Sequence, residues 1–205
     1  MTREQQRQLR ELKTALPKMI KGLAREKKLG KKDFMLYSKN GDLFFDCQIF
    51  VSVNDANVCI CSTSERFKPM WLDELFWELL GMEENKKEPV SLRAIGAYTV
   101  GGAPIYEKDT ILSSWTEEEL RGVVEEYVNH FSQSINDTDY SVFEDMLQEG
   151  YHSELRTALY YIHTKQYQKA LEVVGDRRGC FENRGLDIND AIREYVNGEM
   201  KGSRL

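Results

Sequence analysis

Four cysteines and three histidines are the side chains of this 205-residue chain best able to hold a metal or act as a nucleophile. Cys59 and Cys61 are two residues apart, so in an extended strand both thiols point to one face. With Cys47 as a third ligand they would need one more to complete a tetrahedral zinc site. The two-residue gap usual between paired zinc cysteines is missing, and free cysteine is among the most buried residue types. The three are therefore read as core packing and reduced thiols, not as a disulfide framework. His130, His152 and His163 fall on three separate predicted helices with no i, i+4 pairing, so none marks a metal helix. Cys180, in Gly179-Cys180-Phe181, is the one cysteine in a loop-like setting, and no signature makes it catalytic.

Carboxylates are abundant, but Glu117-Glu118-Glu119 and Glu125-Glu126 occupy the first turn and outer face of a predicted helix. Negative charge is favoured there by the helix dipole and by water. No glycine-rich phosphate loop occurs, because Gly101-Gly102 is not placed between a strand and a helix, and no cofactor is implied. The remaining chemical candidate is aromatic. Trp71, Trp77, Tyr98 and Tyr106 would line a small-ligand pocket if the helix that carries the two tryptophans covered the sheet. That is the enzyme-or-ligand reading; the balance of the sequence leans to a protein that is not an enzyme.

Charge is distributed unevenly. Residues 1–39 hold 12 Lys and Arg against 4 Asp and Glu, and residues 40–205 hold 16 against 30, for a total of −6. Wound at about 100° per residue, Leu9, Leu12, Leu16, Met19, Ile20 and Leu23 share one face. Arg3, Arg7, Arg10, Lys18, Lys21, Arg25 and Lys28 form a cationic stripe opposite. Such a stripe suits an anionic partner: nucleic acid, acidic lipid, or the acidic remainder of a second copy in a homo-oligomer. The acidic total and the lack of interleaved aromatics argue against nucleic acid. The lack of an aromatic anchor argues against lipid. No apolar run approaches the ~20 residues that span a bilayer, and no signal peptide is recognised, which predicts a cytoplasmic protein.

The elements that position these residues follow from periodicity. A helix is predicted over 2–29, kinked at Pro17 and ended by Gly30. Asn40-Gly41 predicts a hairpin between strands at 34–39 and 42–53, and a third strand follows at 56–62. An apolar helix at 70–80 comes next. Gly101-Gly102 predicts a second hairpin between 91–100 and 103–112, with Pro104 marking an edge strand. Thr116 and Glu119 read as the capping box of a helix that ends near Ile135. Four short helices follow, at 140–148, 153–163, 166–175 and 186–198. The fold class is α+β, an antiparallel meander sheet flanked by helices and followed by a small all-helical C-terminal subdomain. The polar cluster at 136–139 divides the chain into residues 1–137 and 138–205.

In that tail Tyr167, Ala170 and Leu171 match half of a tetratricopeptide repeat, with Lys165 where the repeat usually has Gly. A second, longer likeness rests on Leu12-Lys13, Leu16, Leu29-Gly30-Lys31-Lys32, Phe34 and Tyr37-Ser38-Lys39-Asn40-Gly41-Asp42-Leu43. These residues resemble the opening of a bacterial domain family without assigned function, over about residues 9–137. The resemblance implies a leading helix, a hairpin meander and a following helix, and no catalytic residues. In size and charge the chain is also similar to the acidic immunity proteins that bacteria pair with toxins. The functional expectation is therefore a protein-interaction module of the immunity or antitoxin kind that binds a basic partner.

Overall fold

The computed structural model describes residues 1–94 and 98–202. Among these the fold is α+β, with seven α-helices and a five-stranded antiparallel sheet in meander order. Helix α1 spans Arg3–Glu26. The sheet comprises β1 (Gly30–Lys32), β2 (Met35–Asn40), β3 (Leu43–Val53), β4 (Cys59–Pro69) and β5 (Ala103–Ile111). Helices α2 (Met70–Leu79) and α3 (Glu117–Asp137) precede α4 (Tyr140–Asp145), α5 (Ser153–His163), α6 (Tyr167–Val174) and α7 (Ile188–Gly202). A two-stranded ribbon, β6 (Glu182–Asn183) with β7 (Leu186–Asp187), completes the fold.

The chain forms two compact units. The first joins Met1–Phe67 to Pro104–Asp139, and the second joins Lys68–Ala103 to Tyr140–Leu205. The second return to a new unit thus falls two residues beyond the division at 137 expected from sequence. The segment 68–103 differs more, because it belongs with the C-terminal helices and not with the sheet.

In the first unit, Thr2 and Gln5 form a reciprocal capping box that starts α1. The helix runs unbroken through Pro17, and Pro17 and Lys13 are both exposed, so the lost hydrogen bond falls on the solvent side. It stops earlier than its glycine suggests. Lys28 takes a left-handed φ of 57°, while its N–H reaches Arg25 O and that of Leu29 reaches Ala24 O, the double bond of a Schellman ending. Gly30 serves packing instead, since a Cβ there would lie 2.3 Å from the Tyr37 ring. Leu12, Leu16, Met19 and Ile20 are buried, and α1 packs beside α3 and against β3.

The hairpin forms one residue later than its Asn-Gly suggests: Asn40 pairs with Leu43, which leaves Gly41, at φ 56°, and Asp42 as the turn. Asn40 instead donates its side-chain amide to Ile135 O at 2.8 Å, near the end of α3. Strand β4 runs on to Pro69, well past the expected end at Ser62. Its inward residues Thr63, Glu65 and Phe67 are all buried, and the polar run Ser62–Arg66 hides that alternation in the sequence. At α3, Thr116 caps Glu119 N–H, but the Glu119 carboxylate turns to the N–H and hydroxyl groups of Ser113 and Ser114. Burial alone would raise its pKa; those hydrogen bonds outweigh it and bring the group down to about 2.

The Gly101-Gly102 hairpin is not formed. Val90–Arg93 is a 3₁₀ turn, residues 95–97 of the predicted strand lie outside the described residues, and β5 pairs with β4 as an edge strand, as Pro104 requires. Gly101 has a different reason to be glycine: a Cβ would sit 3.1 Å from Tyr151 O and 3.3 Å from His152 Nδ1, which accepts the Gly101 N–H.

The tail helices lie close to their predicted positions. Helix α5 ends in a second Schellman motif, with Lys165 N–H on Ile162 O and Gln166 N–H on Tyr161 O, and Lys165 held at φ 59°. A non-glycine residue is strained there, which is why the helical repeat it half matches prefers glycine. Lys165→Gly should raise stability by about 0.5–1 kcal/mol, read as an increase in thermal midpoint; a decrease would show that the lysine side chain contributes more than its backbone strain costs.

Candidate functional site

Within the second unit, α2, the α5–α6 turn and α7 enclose a groove of about 370 Å³. Helical spacing supplies its walls. Trp71, Glu74, Leu75 and Glu78 recur at i, i+3, i+4 and i+7 on α2, and Tyr195 and Glu199 at i, i+4 on α7. His163 closes α5 and Tyr167 opens α6. Trp71 stacks flat on His163, with centroids 4.0 Å apart and an interplanar angle of 1°, and meets Phe143 edge-on at 6.1 Å. Burial lowers the His163 pKa, so this stacked imidazole is neutral at pH 7.

The groove is lined by three carboxylates, Glu74, Glu78 and Glu199, and by two lysines, Lys86 and Lys165. Tyr167 donates its hydroxyl to Glu199 at 3.2 Å. The Tyr195 hydroxyl pKa is raised first by burial and then by the charges of Glu199 and Glu78. Glu78 pairs with Lys86 at 3.0 Å and Glu74 with Arg93 at 2.9 Å, so two carboxylates already hold cationic side chains of this chain. Three carboxylates beside three large rings suit a lysine, an arginine or an organic ammonium, which gains both ion pairing and a ring face.

A buried network fixes α2 in place. Lys68, 1% exposed, donates to Asp73, to Val100 O at 2.7 Å and to Arg93 O at 3.2 Å. Asp73, fully buried, also accepts from Arg93 at 3.2 Å and from Val100 N–H at 3.0 Å. Arg93 continues to Met70 O and Glu74 and lies 4.7 Å over the Trp77 ring. The groove carboxylate Glu74 is therefore oriented by a guanidinium that the core holds rigid.

Of the four aromatics singled out from sequence, Trp71 lines this groove. Trp77 is buried, and its indole N–H donates to Tyr98 O at 2.8 Å. Tyr98 sends its hydroxyl to Glu182 O, with its ring 6.2 Å from Phe181. Tyr106 belongs to the first unit, where it stacks on His130 at 3.7 Å. Sequence reasoning missed His163, Tyr167, Tyr195 and Glu199. The i, i+4 pair Tyr195 and Glu199 was legible, but nothing tied it to α2.

The His130 contact is the other arrangement with chemical character. Its Nδ1 lies 2.9 Å from Glu65, a fully buried carboxylate that also takes the Ser134 hydroxyl at 2.7 Å. Burial raises the Glu65 pKa against both hydrogen bonds. With the Ser134 proton committed to Glu65 and the ring covered by Tyr106, the trio bridges β4, β5 and α3 and activates no nucleophile.

The thiols are not activated either. Burial raises all four, Cys61 up to about 12, and Cys47 Sγ lies 3.4 Å from Thr63 Oγ1. Among the described residues no three His, Cys, Asp or Glu side chains are grouped to hold a metal ion. No helix among them is long and apolar enough to cross a membrane.

The seven cations Arg3, Arg7, Arg10, Lys18, Lys21, Arg25 and Lys28 are all exposed. Arg7 bridges Glu4 and Glu11 on its own helix. Arg10 and Lys18 line an open groove against α3 in the first unit. Compared with protein-family models, curated proteins and solved structures, the chain has no significant match.

Proposed function

We propose that the chain is a non-enzymatic protein-interaction module that binds a basic partner through the carboxylates and aromatic rings of the groove in its second unit, in the manner of a bacterial immunity protein or antitoxin acting in the cytoplasm. The observation that carries this reading is the convergence of Glu74, Glu78 and Glu199 with Trp71, Tyr167 and Tyr195 on one groove. Displacement of Lys86 from Glu78 by a partner's cation exchanges one ion pair for another while Arg93 keeps Glu74 in place, so binding there is governed by charge and screened by salt. The likeness of residues 9–137 to a bacterial domain family adds a fold expectation and no site.

An arginine- and lysine-rich peptide titrated at low salt should quench Trp71 fluorescence. The triple variant Glu74→Gln, Glu78→Gln, Glu199→Gln should weaken binding at least about tenfold, or ~1.4 kcal/mol. Absence of binding by the wild type, or equal binding by the triple variant, would count decisively against the reading.

The groove's volume of about 370 Å³ also falls in the range of small-ligand sites. A small organic ammonium is the second reading, with Trp71 and Tyr167 as its ring faces. It predicts saturable quenching by a single aromatic or alkyl amine, with a weaker salt dependence than the multiply charged peptide shows.

A further inference from the structure

Charge alone does not select a ligand for the groove of the second unit, because Lys86 and Lys165 line it beside Glu74, Glu78 and Glu199. Its rings are more selective. His163 is exposed and lies flat on half-buried Trp71, with centroids 4.0 Å apart and an interplanar angle of 1°, while Phe143 meets the same indole edge-on. A planar polar ring therefore already covers an indole face at the groove. Among the described residues no hydrogen bond ties that imidazole down, so stacking is what holds it.

The chain shows elsewhere what completes such a contact. Arg93 lies 4.7 Å over the ring of Trp77, which shares α2 with Trp71, and donates to Asp73 and Glu74. One guanidinium thus meets an indole face and two carboxylates at once. The groove offers the same set, an indole beside carboxylates, with a neutral imidazole in the guanidinium's place.

We propose, on the reading of this groove as the site for a basic partner, that the side chain it takes is arginine, seated flat on Trp71 in place of the His163 imidazole. A guanidinium is planar and stacks on an indole as an imidazole does, which leaves five N–H donors at its edge for the groove carboxylates. Lysine brings a compact, strongly hydrated charge with no plane to stack. His163 is then a cover that a matching side chain displaces, and the exchange puts a cation where a neutral ring stood.

The test compares an oligo-arginine with an oligo-lysine peptide of equal length and charge, at about 50 mM salt and pH about 7. Oligo-arginine should bind at least about threefold more tightly, and Trp71→Leu should remove the difference. His163→Ala uncovers the indole without touching the core and should tighten oligo-arginine binding about twofold or more. In the NMR spectrum of the wild type, the His163 ring protons, shifted by the stacked indole, should move to the positions of an unstacked histidine when oligo-arginine binds and stay when oligo-lysine binds. Equal affinity for the two peptides, a preference that survives Trp71→Leu, no gain from His163→Ala, or a His163 ring still stacked in the arginine complex each overturns the proposal and leaves the basic-partner reading standing. Binding of neither peptide overturns both.

Discussion

Arg156→Met is expected to destabilise the second unit by about 3–5 kcal/mol. The Arg156 side chain is fully buried on α5, yet among the described residues no carboxylate accepts its hydrogen bonds. Its guanidinium donates to six carbonyl oxygens: Gly101 at 2.9 Å, Gly102 and Tyr151 at 3.1 Å, Leu147 at 3.2 Å, Met146 at 3.4 Å, and Glu149. Burial lowers its pKa to about 10, opposed by the nearby Glu149 charge, so it remains a cation at neutral pH. Five N–H donors in a rigid fork fill this cage, and methionine fills its volume but none of its hydrogen bonds. Each carbonyl left buried without a donor costs about 1–3 kcal/mol, though those near exposed Tyr151 and Glu149 regain water. Arg156→Lys supplies a compact charge with three donors and should recover less than half of the loss. Urea unfolding followed by circular dichroism reads both variants. A methionine variant within about 1 kcal/mol of wild type would mean that the loop carbonyls have other donors.

The same cage explains what was hard to read in the sequence. Gly101-Gly102 has the composition of a hairpin turn, but here its carbonyls are held by Arg156 and its N–H by His152, more than fifty residues away in each case. Local pattern carries no sign of such a partner. The periodic elements were legible because one buried face repeats along them: Leu12, Leu16, Met19 and Ile20 on α1, and Val124, Tyr127, Val128 and Phe131 on α3. Strand β4 was legible only to Ser62, since the buried positions beyond it include Thr63 and Glu65, polar residues whose partners Cys47, His130 and Ser134 come from other elements. The ribbon β6–β7 was missed because two-residue strands have no period; its signal was Arg184-Gly185, both at positive φ. The candidate groove follows the same rule. Periodicity places Trp71, Glu74 and Glu78 on one face of α2, but which face of α7 meets it depends on packing. The four aromatics grouped by residue type share chemistry, and the structure gives each its own partner.

Asp73→Leu should be the other large perturbation, again about 3–5 kcal/mol, because it strands Lys68. A lysine 1% exposed keeps its charge only while its donors are met, and Asp73 supplies a carboxylate 2.9 Å from its ammonium. The carbonyls of Arg93 and Val100 remain, but neutral oxygens do not replace the carboxylate's charge beside a buried cation. Val100 N–H also loses its acceptor, and among the described residues Arg93 keeps only Glu74 as a charged partner. Lys68→Met alone should be milder, since Asp73 still pairs with Arg93. The informative variant is the double, Lys68→Met with Asp73→Leu. If the cost of Asp73→Leu is chiefly the stranded lysine, the double variant should be more stable than Asp73→Leu by about 1–3 kcal/mol, a coupling opposite to simple addition. Additive losses in urea unfolding would instead assign the cost to Val100 and Arg93. The network also reaches the groove, because Arg93 orients Glu74. The double variant should therefore bind the basic peptide more weakly than Lys68→Met does, even where its fold is recovered. Equal affinity in the two would separate the buried ion cluster from binding and leave it a purely structural anchor for α2.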